Sequence, residues 1–457
     1  MKILFVIAAA IMLAAPTFAI SPYDLFFRSE TDAMLMGGGD VPDEITGRPD
    51  LRHPTSLLHA ERPMVRLDLC SQTPVELVRE GEAVGRWRSD IATLSAVMPL
   101  QDGRWSAGLY ATTIDDSVWY ESGDQEWRLD LDEQRWGVGV AYQVDPTWRA
   151  GISCTSGELT GSAGGAALAE MLSLTPGDER WPGINSDSTN LTLGASGTSG
   201  PWQFGAQHNW SEPDATLSVR RDVYDYAAPM QLSGHGSETW VSYHQGRDRW
   251  WASWRESCSS GEGTIMLGVA GRGDTSADLH DRSVAIGWRH EADGQLTQLQ
   301  IDRRDSSFAT YDQGYAGVLP GLTSDIYTLR AGASSRINSL RIAHQRHLWR
   351  SISVAAAASA HYADVEADLH IRRVPGFATP PITNSEVALD GGRVKLWALT
   401  LGIIHEDERL RASLSGTAGI AETNEAFDST IEGGDGDGGG GSLKVRPLFT
   451  AALEWTF

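Results

Sequence analysis

From Phe449 to Phe457 the residues alternate. Phe449, Ala451, Leu453, Trp455 and Phe457 fall on one face of an extended strand, and Thr450, Ala452, Glu454 and Thr456 on the other. A period of two places successive side chains on opposite faces of a sheet. The same pattern sets Trp202, Phe204, Ala206, His208 and Trp210 against Gln203, Gly205, Gln207 and Asn209, and Trp136, Val138, Val140, Tyr142 and Val144 against Arg135, Gly137, Gly139, Ala141 and Gln143. Trp148, Ala150, Ile152 and Cys154 repeat it, as do Leu410, Ala412, Leu414 and Ala418. Trp202 and Trp210 are eight residues apart, about 27 Å along a strand. At a tilt of about 40° that is a height near 20 Å, close to the ~25 Å apolar band of a membrane barrel. The pattern predicts an all-β chain forming a transmembrane antiparallel β-barrel.

Seven short segments read as tight hairpin turns: 99–103, 145–146, 198–201, 246–248, 291–294, 345–347 and 405–408. They are rich in Gly, Pro and Asp, which permit or preset the angles of reversal. Trp105, Trp148, Trp202, Trp250 and Trp349 follow five of them. With Trp136 and Trp210 at the far ends of their strands, these residues predict an interfacial aromatic girdle. Longer polar stretches at 116–133, 158–187, 212–236, 259–280, 306–324, 363–393 and 421–444 are predicted to be outer loops. Seven turns plus a first and a last strand make sixteen strands. Thr264–Ala270 is either an extra strand or loop, and Ile326–Ile342 holds one strand or two, which widens the range to 14–18. A wall of that size encloses a lumen.

Lys2, the apolar run Ile3–Ala15 and the small-residue site Pro16-Thr-Phe-Ala19 predict a secretory signal peptide over residues 1–19. Beyond residue 20 no apolar stretch reaches the ~18 residues of a spanning helix. The chain carries 49 Gly, 17 Trp and a net charge of −23, and that acidic balance makes nucleic acid an unsuitable partner. Cys70, Cys154 and Cys258 are an odd number, expected on different strands and too far apart to bridge.

The terminal alternation at Phe449, Leu453, Trp455 and Phe457 resembles the C-terminal signal read by the bacterial barrel-assembly machinery, which implies that machinery and outer-membrane lipid as partners. Residues 20–60 do not read as wall. Ala33, Met36, Gly37 and Gly38, followed by Pro54 and Leu57, resemble the N-terminal segment of the long-chain fatty-acid transporter family of outer-membrane barrels. That family has a small-Met-Gly-Gly-small stretch and then an Asn-Pro-Ala-x-Leu motif. His53 stands here in place of the Asn and Thr55 in place of the Ala. The resemblance implies that residues 20–60 fold inside the barrel 61–457 as a hatch, and that a hydrophobic ligand passes it and leaves through the wall. An N-terminal cap without a gating role is the alternative.

No HExxH or Gly-x-Ser-x-Gly motif occurs, so no enzyme activity, cofactor or metal is expected. His344 and His347 straddle a turn, and His361 with Asp364 makes an acid–base pair without a nucleophile. Asp435 and Asp437, in a Gly-rich run, offer too few oxygens for calcium. The function expected is passage of a hydrophobic or amphipathic small molecule across the bacterial outer membrane. The alternatives are a scaffold resembling the barrels of the type-nine secretion system, or a general diffusion porin. The inward residues Gln203, Gln207, Asn209, Ser413, Ser415 and Thr417 are polar with little charge and do not separate these. An apolar pocket under the outer loops would favour the transporter.

Overall fold

The computed structural model describes residues 31–36, 41–79, 82–100, 103–122, 125–164, 183–220, 225–267, 271–316, 325–374, 383–424, 442–445 and 447–457. The segment 1–19, the expected signal peptide, and Gly37, Gly38, Asp435 and Asp437 lie outside them.

The wall begins with β1 (Met64–Arg79), β2 (Glu82–Leu100), β3 (Trp105–Ser122), β4 (Gln125–Gln143), β5 (Trp148–Gly164) and β6 (Gly183–Ser199). It continues through β7 (Trp202–Arg220), β8 (Asp225–Gln245), β9 (Asp248–Leu267), β10 (Gly271–Ala292), β11 (Gln295–Ala316) and β12 (Asp325–Trp349). It ends with β13 (Ile352–Val374), β14 (Thr383–Glu406), β15 (Leu410–Thr423), β16 (Ser442–Val445) and β17 (Leu448–Thr456). Each strand pairs antiparallel with its neighbours, and β1 pairs with β2 on one edge and with β16 and β17 on the other, so the sheet closes. Segments β16 and β17 are two parts of one strand interrupted at Pro447, which lacks the amide donor a ladder needs. The barrel therefore has sixteen strands, as the turns predict. Closure leaves no free sheet edge.

Alternation decides which face meets lipid. Leu94, Met98, Leu109, Val138, Ile286, Ile301, Leu401 and Leu414 are exposed on the outer face, while Val97, Ala141, Ala285 and Gln300 alternate inward and are buried. Trp105, Trp136, Trp148, Trp202, Trp210 and Trp349 all stand exposed on the outer face, as do Phe449, Leu453, Trp455 and Phe457. A closed sixteen-stranded barrel with an apolar outer band is an integral outer-membrane protein.

At the short turns, side chains fix the reversals. Asp407 Oδ1 accepts from the backbone N–H groups of Arg409 (2.9 Å) and Leu410 (2.8 Å), which hold this carboxyl below the ordinary carboxylate range. Asp293 and Gly294, both at positive φ (46° and 77°), close β10 onto β11. One turn differs from expectation. β12 runs on to Trp349 and reverses at Arg350 (φ 44°), so Trp349 closes a strand rather than opening one.

The predicted outer loops are shorter than the sequence suggests. β3 continues to Ser122 and β4 starts at Gln125, so most of 116–133 is paired strand. The stretches 158–187, 212–236, 259–280, 363–393 and 421–444 likewise begin and end in strand, 306–324 begins in β11, and β12 reaches 25 residues. Above the apolar band the outer face meets water, so alternation of apolar with polar residues disappears while the ladder persists. Pairs such as Arg128–Asp130 and Arg303–Asp305 decorate it there. Thr264–Leu267 is the end of β9 and not an extra strand, and Ile326–Ile342 lies within the single strand β12.

Candidate functional site in the lumen

The turn-side half of the lumen is occupied by the chain's own N-terminal segment. It holds α1 (Thr31–Leu35), α2 (Asp43–Thr46) and a 3-10 turn (Pro54–His59). Thr31, Met34, Leu35, Val41, Ile45, Leu51 and Leu57 are all buried, at most 4 % exposed. Such short helices have no stability of their own; the wall supplies it. Leu51, Leu57 and Ala60 pack with Val97 and Ala141, Val41 and Ile45 with Trp240, Trp251 and Ala285, and Leu35 with Ala355 and Ile404.

Inward-facing glycines make room for this segment. A Cβ on Gly151 would lie 2.7 Å from the carbonyl carbon of Pro54 and 2.8 Å from the amide nitrogen of Thr55. Gly108, Gly139 and Gly402 approach Leu57, Leu51 and Leu35 in the same way. Polar contacts fix the register. Ser153 Oγ donates to the carbonyl of Leu51 (2.8 Å), the amide of Thr31 donates to Asp68 Oδ1 (3.2 Å), and Arg249 donates to the carbonyl of Ile45. His53 Nε2 lies 3.0 Å from Glu238 Oε2, which also accepts from Gln207 Nε2 at 3.1 Å. Pro54 and Leu57 thus sit at the seat itself, while Ala33 lies in α1 and Met36 just after it, both half-buried.

Alongside the segment, from the turn end at Asp293, Gly294 and Gln295 to Ile91 and Ile114, runs a cavity of about 1370 Å³ whose lining changes around the barrel. Ile91 and Val97 on β2, with Ile114 on β3, give one side apolar character; across the lumen stand Arg255, Arg304 and Arg341 on β9, β11 and β12. Asp281 is buried between Arg304 (2.7 Å) and Arg255 (3.7 Å), and Asp302 pairs with Arg341. The sampled residues Gln203, Gln207, Asn209, Ser413, Ser415 and Thr417 do face inward, but they misrepresent the lumen, because charged side chains line it on β1, β4, β8–β12, β15 and β17. Charges at those positions interrupt no apolar face, so they read in sequence as ordinary polar strand residues.

Farther from the turns the inner face becomes apolar again. Met230 and Leu232 on β8, Ala277 and Leu279 on β10 and Phe308 on β11 form one buried cluster, with Ala333 of β12 packed against it. Phe308 lies thirteen residues from the start of β11 at Gln295, roughly 30 Å in height at a common barrel tilt, above the apolar band. From the turn side outward the lumen holds a seated segment, a zone of paired arginines and carboxylates, and an apolar cluster.

The candidate catalytic pairs do not form. His361 is buried between Ser339 Oγ (2.9 Å) and Ser359 Oγ (3.0 Å), whereas Asp364, of opposite parity, faces outward towards Arg393. His344 faces out to Thr297 and His347 turns in to Ser353. Cys70, Cys154 and Cys258 lie on β1, β5 and β9, and no two of them form a disulfide.

No family model and no curated protein sequence matches the chain. Among solved structures it is similar to the CymD monoaromatic hydrocarbon channel, at 14% identity and a TM-score of 0.43 over 94% of this chain and 99% of that one. It is similar to the Ralstonia pickettii toluene transporter TbuX at 10% identity and a TM-score of 0.46, over 95% of this chain and 100% of that one. It is likewise similar to a Pseudomonas aeruginosa FadL homologue, at 11% identity and a TM-score of 0.40, over 89% and 93% of the two chains.

Proposed function

We propose that this barrel carries hydrophobic or amphipathic small molecules across the outer membrane, with residues 20–60 as the hatch on the turn side. The observation that supports this most is the buried apolar cluster of Met230, Leu232, Leu279 and Phe308 on the inner face at the outer end. A water-filled diffusion pore gains nothing from apolar side chains there. A site that takes a hydrocarbon from water gains about 25 cal/mol for each Å² buried. Below it, the arginines on β9, β11 and β12 suit a ligand with a polar or anionic head, and the apolar residues of β2 and β3 suit its body. The outward Trp residues serve as interfacial anchors on this account, and the Phe449–Phe457 face as the assembly signal.

Isothermal titration of decanoate into the refolded protein in lipid nanodiscs tests it. Saturable binding that weakens at least tenfold in Leu279→Asp is expected. Absence of binding by both decanoate and an uncharged hydrocarbon would remove the proposal. A diffusion porin is the second reading, favoured by the charge around Asp281 and Asp302, and it requires that the N-terminal segment leave an open path.

A further inference from the structure

The outer face of the barrel carries a row of metal-ligating side chains that the transport reading does not use. Cys258 on β9 pairs in register with His235 on β8 and with His280 on β10. Next but one along β9, and therefore on the same face, is Glu256. Direct cross-strand neighbours have Cβ atoms about 5 Å apart, so a thiol flanked by an imidazole on each side is a compact set. One ligand atom each from Glu256, Cys258 and His280 falls within 4.8 Å of the others. His280 Nε2 already lies 3.0 Å from Glu256 Oε1.

The row faces outward at the edge of the membrane. Trp210 pairs in register with His235, so the row continues the line of that exposed Trp. Cys258 is ten residues from the start of β9 at Asp248, about 25 Å in height at a common barrel tilt, which is headgroup level. His280 and Glu256 keep 44% and 37% of their side chains exposed, so an ion has an open approach from water.

We propose that Glu256, Cys258 and His280, with His235 as the fourth donor, bind a divalent transition metal of the zinc type on the outer surface. One thiolate, two imidazoles and a carboxylate match the donors zinc prefers, in the number a tetrahedral site needs. Binding releases the Cys258 thiol proton to solvent and ties β8, β9 and β10 together where the barrel leaves the membrane. Arg282 pairs in register with Glu256, and a positive charge beside the site opposes a bound cation, so Arg282→Ala should tighten it.

Cobalt titrated into the refolded full chain in detergent micelles is the test. The expected result is a thiolate-to-cobalt charge-transfer band, with the d–d intensity of a four-coordinate ion. That band is lost in Cys258→Ser, retained in Cys154→Ser, and requires at least tenfold more cobalt in His280→Ala. A wild-type spectrum without the band, or the same band in Cys258→Ser, overturns the proposal. Retained heat-modifiable migration on gels shows that each variant still forms the barrel. A second readout needs no ligand substitution. In Cys70→Ser/Cys154→Ser protein, zinc should slow alkylation of Cys258 by a charged maleimide at least tenfold, and an unchanged rate overturns the site.

Discussion

His53, in the N-terminal segment, and Glu238, on the inner face of β8, meet at 3.0 Å with both side chains less than a tenth exposed. The contact joins positions 185 residues apart and pins the segment to the wall. It also accounts for the His that stands where the resembling family has Asn, since a longer ring reaches a carboxylate on a distant strand.

Removing the ring exposes what the contact does. His53→Ala leaves the Glu238 charge buried with less compensation, and truncating one partner of a buried pair costs on the order of 3 kcal/mol. The expected outcome is an unseated segment in a folded barrel. Limited proteolysis should cut within residues 31–60 of the variant while the wall resists, and equal resistance in wild type and variant would contradict it.

The glycine seat gives a sharper contrast. Gly151 and Gly194 face the same 3-10 turn, but a Cβ on Gly151 would meet the backbone of Pro54 and Thr55 at 2.7–2.8 Å, whereas on Gly194 it would meet Pro54 at an ordinary 3.4 Å. Gly151→Ala should therefore raise protease access to the segment, and Gly194→Ala should not. The two variants differ by the same single methyl group, so β propensity does not separate them.

Acid dependence is expected at the outer end of β3. Asp116 faces inward there, above the apolar band, where the outer face already carries Asp90, Asp115 and Asp132. Burial, with Glu133 and Asp115 nearby, pushes its carboxyl up to about 6, against the opposing pull of the Ser89 hydroxyl. The folded value lies above the unfolded one, so the folded state holds the proton more tightly. The stability linked to this group is full below about 4 and is lost as pH rises through about 6. Asp116→Asn should stabilise the barrel at pH 8 by on the order of 2 kcal/mol and leave it unchanged at pH 4. Guanidinium unfolding at the two pH values checks this; an equal effect at both would contradict it.

Much of the wall was legible because lipid enforces alternation. Trp202 to Trp210 and Leu410 to Leu414 announce their faces, and the Gly- and Asp-rich turns count the strands. The same rule explains the misses. Above the membrane nothing demands apolar residues, so the outer extensions of β3 and β4, up to Ser122 and from Gln125, looked like loop; the ladder there is held by backbone pairing that composition does not record. Inside the barrel, Pro54 and Leu57 marked the seat, but the glycines that receive them are scattered over β3, β5 and β6, and the partner of His53 is on β8. Likewise His235, Cys258 and His280 become one row only through strand register.

Conductance across a planar bilayer tests the central claim most directly. Refolded protein lacking residues 1–19 should be silent or pass only small currents, because the segment narrows the turn-side lumen, and further deletion through residue 60 should give large steady steps. Large steps of equal size from both proteins would contradict a seated hatch and favour an open diffusion pore.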